Sequence, residues 1–257
     1  IDGGGGSDRF EVGSGTGFTL SDIHAHLYLT GGAHAGDRDT LSIVENNFVS
    51  GVSYPNELLT PDLFVGEGLA GVHYAGFESL DMELGSWDKA LTITSLTTPA
   101  SVNLGGGDNR LTLGTPEVPF ATAFAEGLLL DCGAGETAIE LYDTAATSHS
   151  TWSLENTAIS FGNLAEVTGT FADITVYLGQ VDAVVFSAIT ETIDVTVFGG
   201  PGSDWFYARA LPLGHVLFRG GGGTDRVVID DSARTAARYL ALDGPPLTVP
   251  GALVTDA

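Results

Sequence analysis

This chain has one cysteine, one lysine and no long hydrophobic run. With Cys132 alone, no internal disulfide can form. With Lys89 and eight arginines against 33 acidic residues, the formal charge is −24. A nucleic-acid partner needs clustered Lys and Arg to meet its phosphates, so that class is excluded. Anionic membranes and anionic polysaccharides are disfavoured for the same reason. No apolar stretch approaches the about 20 residues of a membrane-spanning helix, so membrane insertion is not expected. A helical hydrophobic period is also missing. What remains is a chain 43% hydrophobic, enough to fill a core. Its acidic exterior suits high salt, a cation-rich medium or simple solubility. Its 36 glycines gather mostly in recurring turns and do not make low-complexity sequence.

The recurrence is the main signal. A few alternating apolar residues lead into a glycine-rich turn that closes on Asp, Asn or Glu, and a second alternating run follows. The clearest copies are Ile1–Val12, Ser101–Leu113, Val195–Tyr207 and Val216–Ile229. The turn-closing residues are Asp8, Asp39, Asp88, Asp108, Glu136, Asn156, Asp182, Asp204 and Asp225. From Asp88 onward they lie 20, 28, 20, 26, 22 and 21 residues apart. A period in the twenties marks stacked supersecondary units. Period-two alternation after each turn marks strands, with inward pairs Phe10/Val12, Leu41/Ile43, Leu91/Ile93, Leu111/Leu113, Ile139/Leu141, Ile159/Phe161, Val184/Phe186 and Val227/Ile229. Glycines take the φ values the corners need, and each acidic residue can cap its turn by accepting backbone N–H bonds.

The expected fold is all-β: one right-handed parallel β-helix, or β-solenoid, of roughly ten coils of about 20–28 residues. At the strand spacing this gives a rod about 50 Å long. The single segment runs over 1–257, with an irregular insertion at 46–71 and a tail at 243–257 leading out of the stack. Thr115–Gly127, with Pro116 and Pro119, reads as a loop. Ile1–Val12 already resembles half a coil, so the chain is expected to be part of a longer one.

The glycine-aspartate turns resemble hemolysin-type (RTX-like) repeats, and the larger cassette resembles very long bacterial cell-surface adhesins with such repeats. The matching residues are Gly71-Val72-His73-Tyr74-Ala75-Gly76-Phe77-Glu78-Ser79-Leu80, then Leu84-Gly85-Ser86-Trp87-Asp88, then Gly220–Thr224, Asp225 and Asp230-Asp231-Ser232. The resemblance implies an extracellular or cell-surface structural protein. Its partners would be adjacent repeats or identical subunits end to end, with glycans as a further class. One departure stands out: the turns come once per coil rather than in immediate nonapeptide succession, which removes the shared geometry of an RTX calcium site. Calcium is therefore a cofactor the turns could take but do not require. Its ligands would come from Asp8, Asp39, Asp88, Asp108, Asp204, Asp225, Asp230 and Asp231, hard oxygen donors on a repelling acidic ladder.

Other chemistry is sparser. His24 and His26 would share one side of a strand and could hold zinc or copper, but a closed site needs more ligands. Asp81 and Glu83 are a weak glycosidase pair on a solvent face. Arg110, Arg209, Arg219 and Arg226 are single cations beside turns, where a polysaccharide lyase would want a cluster. Gly13-Ser14-Gly15 and Gly202-Ser203-Asp204 lack the strand-elbow-helix pattern of a nucleophile. The glycine runs precede strands, so they are not phosphate loops. Cys132 reads as a packed core residue. Trp87 and Trp205 flank turn aspartates and are candidate interface aromatics. No catalytic residue is expected. A non-enzymatic structural module fits best, ahead of a calcium-dependent binding module or a polysaccharide-active enzyme.

Overall fold

The computed structural model describes residues 1–13, 20–32, 36–45, 56–66, 68–180, 182–186, 192–209 and 214–230. Residues 46–55 and 67 of the expected insertion, and the whole 243–257 tail, lie outside them. The protein is all-β: 19 strands among the described residues form one strongly curled, mixed sheet. Among the described residues, helix is confined to a 3-10 turn at Leu20–Asp22 and an α-turn at Phe120–Ala123.

Most pairings are parallel and join strands from successive repeats. One ladder runs through Arg9–Val12, Thr40–Glu45, Ser79–Leu84, Ala100–Asn103 and the first parts of the long strands Leu128–Tyr142 and Ala165–Tyr177. A second runs through Asn56–Leu59, Ala90–Ile93, Asn109–Leu113, the latter parts of those long strands, Asp194–Phe198 and Val216–Arg219. A third joins Ser150–Leu154, Asp182–Phe186, Trp205–Ala208 and Arg226–Ile229. A short fourth pairs Leu27–Thr30 with Val72–Ala75.

The registers place like residue on like. Leu91, Leu111, Ile139, Ile174, Val195 and Val216 form one row across the second ladder, and Ile93, Leu113, Leu141, Val176, Val197 and Phe218 the row two residues on. All are buried except the last residue of each row, which is half-buried. Between these rows lie Thr92, Thr112, Glu140, Thr175 and Thr196, which face away from the core. Period-two alternation therefore sorts the side chains, and parallel pairing keeps the sorting constant from strand to strand. Burying each aliphatic side chain contributes about 1.5–3 kcal/mol. Val227 departs from its expected inward, buried position at 37% exposure, because Arg226–Ile229 pairs on one side only among the described residues.

Two segments depart from the repeat. Ser150–Leu154 and Ala158–Phe161 form an antiparallel hairpin that continues onto Ala165–Tyr177. The Asn156 turn is thus a tight reversal, closed by the Glu155 N–H to the Ala158 carbonyl (2.8 Å), and not a corner of the repeating kind. It lacks the glycine run that carries the chain around a wide corner. Within the expected insertion, Asn56–Leu59 joins the second ladder, and Leu63–Val65 pairs antiparallel with both Asn56–Leu59 and Val72–Ala75.

The loop after Gly114 also does more than connect. It carries Phe120 and Phe124 into the core, where Phe120 meets Phe124, Trp152 and Phe161 at ring distances of 4.4–5.0 Å. Its α-turn is anchored by the Phe120 N–H donating to Asp143 Oδ1, a fully buried carboxylate (2.8 Å).

Candidate functional site in the glycine turns

Glycine makes the corners possible because they lie on one another. At Gly105 (φ 75°) and Gly107 (φ 79°), an added Cβ would strike the backbone of the turn at Leu84–Asp88. Only a residue without a side chain combines that conformation with that approach.

Corner acids then tie neighbouring turns together. The Asp8 N–H donates to Asp39 Oδ1 (2.7 Å), and the Asp39 N–H to Glu78 Oε2 (2.6 Å). In a second stack the Asp108 N–H donates to Asp88 Oδ1 (2.9 Å), and the Glu136 N–H to Asp108 Oδ1 (3.0 Å). In a third the Asp204 N–H donates to Asp225 Oδ1 (3.1 Å). Asp204 also accepts from Gly200 within its own turn (3.0 Å). Asp39 and Asp204 are buried, Asp8, Asp88 and Asp225 are half-buried, and Asp108 is exposed. Serine performs the same task beside them: Arg38 N–H to Ser7 Oγ and Thr224 N–H to Ser203 Oγ. Asp194 accepts from the His215 backbone N–H (2.8 Å) and ring, which holds its carboxyl below the ordinary range. Asp230 is exposed and its N–H donates to the Ala208 carbonyl; Asp231 lies outside the described residues.

The expected self-capping is carried mainly by other residues. Asp2, Asn103 and Asp131 accept from the N–H two positions on, at Gly4, Gly105 and Gly133. Their sequence signal, Asx two residues ahead of a glycine, was available but was overshadowed by the acid that closes each turn.

Inside the turns, nitrogen side chains fill the ring of carbonyls. Lys89 is fully buried, and its Nζ donates to the carbonyls of Gly85, Trp87 (2.9 Å) and Leu104 (2.7 Å). Asn109, at the equivalent position one turn on, donates through Nδ2 to the carbonyls of Gly106, Gly107 and Cys132. The carbonyls that would face a cation thus receive N–H donors from the chain itself. Burial lowers the Lys89 ammonium to about 8, opposed by the nearby charges of Glu57, Glu45 and Asp88.

The remaining candidates separate clearly. Trp87 is half-buried, lies against Gly85 of its own turn, and carries the Lys89 ammonium 4.6 Å from its ring. Trp205 is 54% exposed with Arg226 above its ring (5.1 Å). Arg219 covers Phe198 (5.5 Å) and Arg209 covers Tyr207 (5.8 Å), while Arg110 lies exposed on its strand. Three of the four arginines considered for a lyase therefore sit on aromatic rings. Tyr142, Tyr177 and Phe198 stack face to face at 4.6 and 5.0 Å, so their faces cover one another rather than offering a platform for a sugar. Cys132 is fully buried, and burial pushes its thiol up to about 12, which makes it unreactive.

Asp81 and Glu83 are exposed on Ser79–Leu84. Asp81 borders a groove of about 550 Å³ that also includes Ser101, Glu126, Leu129 and Glu166. Asp81 and Glu166 occupy one row, separated by the strands bearing Ser101 and Leu129. Three strand spacings put them about 14 Å apart, beyond the about 5–9.5 Å of a glycosidase pair. His24 and His26 precede the strand Leu27–Thr30, and the partner of His26 is His73.

Among the described residues, no group of three or more His, Cys, Asp or Glu side chains is placed to hold a metal ion. Comparison with known protein families, curated proteins and solved structures gives no match.

Proposed function

We propose that this chain is a structural module without enzymatic activity: a right-handed parallel β-helix segment forming a rigid rod, stacked end to end with neighbouring repeats or identical subunits. The setting suggested by its repeats is a large exported surface, adhesin or filament protein of the RTX-like kind. The observation that carries this reading is the register. Equivalent residues of successive repeats, such as Leu111, Ile139, Ile174 and Val195, occupy one continuous buried row. Corners stacked within the reach of a single hydrogen bond add to it. Arg9–Val12, Val216–Arg219 and Arg226–Ile229 each pair on one side only among the described residues, which leaves backbone groups for a neighbour.

Small-angle scattering with sedimentation tests the reading. The expected result is an elongated particle of constant cross-section that lengthens with concentration. A compact monomer at every concentration would overturn the rod and its end-to-end partner together.

A further inference from the structure

We propose that His26 and His73 form an open surface site for a borderline divalent transition-metal ion, with Zn²⁺ and Cu²⁺ as its natural occupants. One imidazole comes from a strand and the other from the residue just ahead of the adjacent parallel strand. His73 lies within Val72–Ala75, opposite Tyr28, while His26 stands immediately before Leu27–Thr30. His26 Nδ1 and His73 Nε2 are 3.2 Å apart and share a hydrogen bond; a metal ion would take the place of its hydrogen, the donor ring shifting to its other tautomer. Two imidazole nitrogens bound tetrahedrally to zinc, with Zn–N of about 2.0–2.1 Å, stand about 3.3 Å from each other. The pair is therefore already spaced as one edge of a coordination tetrahedron.

Two neighbours hold that geometry. The Tyr28 ring stacks flat on His73, with centroids 4.6 Å apart and planes 3° from parallel. Gly71 leaves room for the other ring: a Cβ there would sit 3.1 Å from His26 Nδ1. His26 is exposed and His73 half-exposed, so an ion reaches both nitrogens from solvent.

Ligand chemistry selects the metal. Neutral imidazole suits zinc and copper, whereas calcium and magnesium require hard oxygen donors. Two protein ligands leave the other coordination positions to water or to a donor from outside the chain, as in an open site rather than a closed structural one. The sequence places His24 beside His26, but the chain's own pairing selects His73, 47 residues away.

Calorimetric titration of the whole chain with ZnCl₂, and with CuCl₂ followed by electron paramagnetic resonance, tests the site. The expected result is one saturable site per chain, copper spectra showing nitrogen coupling, and no heat with CaCl₂. His26→Ala and His73→Phe should each weaken binding at least tenfold, the latter keeping a ring for Tyr28 to stack on. His24→Ala and His149→Ala should bind as the parent does. Circular dichroism of every variant reports whether it is folded. Absence of saturable binding to the folded parent would overturn the assignment, as would equal affinity in folded His73→Phe.

Discussion

Asp39 shows how much one side chain carries. It is 2% exposed, accepts the Asp8 N–H, and donates its own N–H to Glu78. Asp39→Ala leaves a backbone donor without its carboxylate, and the expected loss is about 1–3 kcal/mol in denaturant unfolding. Asp108→Ala, at an exposed corner, should cost less in the same assay. Lys89 makes a second prediction. Its ammonium titrates at about 8 in the folded chain and near its ordinary value of 10.5 when unfolded. Between those values the unfolded state binds more protons, so this group's contribution to stability rises with pH across the window. Measured as stability against pH, Lys89→Met should remove that rise. The Cys132 thiol, raised to about 12, works in the opposite direction above its ordinary value, so the two proteins must be compared at each pH. That acids close the turns was legible from their spacing. That each reaches across to another turn was not, because residues 20 to 39 apart in sequence meet only once the corners are stacked.

At the scale of the element, alternation is the whole instruction. Within Ala165–Tyr177, Ile174 is fully buried while Thr175 beside it faces outward. Ile174→Ala should cost about 2–5 kcal/mol by leaving a cavity in a row flanked by Ile139 and Val195. Thr175→Ala should stay within about 0.5 kcal/mol of the parent. Thermal melts of the pair test the inside-outside assignment directly. Strand positions and most inward pairs were readable because period two survives in the good copies; Val227 is exposed, and the side chain of Phe186 lies outside the described ones. The hairpin at Ser150–Phe161 was not readable as such, since its alternation is the same as elsewhere and only the missing glycines mark the reversal. The Phe120–Ala123 turn is too short to show a helical period, yet it delivers two aromatic rings to the core. The His26–His73 pair was hidden for another reason: a contact between neighbouring strands leaves no local pattern around either histidine.

For the molecule as a whole, cohesion comes from backbone ladders, stacked apolar rows and corner carboxylates that accept backbone N–H groups. Lys89 and Asn109 supply donors inside two corners from the chain itself. With no zinc or copper added, chelation by EDTA should therefore leave the melting temperature unchanged, measured with and without added CaCl₂. A large calcium-dependent rise would shift the reading toward a calcium-dependent module. The all-β class was legible from the recurrence alone, whereas the mixed character of the sheet depended on the two antiparallel excursions.

Cross-strand bonding has a mechanical corollary. In a parallel ladder the backbone hydrogen bonds run from strand to neighbouring strand, so a pull that separates the strands loads only the outermost junction. Drawn from its two ends, such an assembly would come apart like a zip, one turn at a time and at modest, nearly constant force, with no single rupture that releases the whole length.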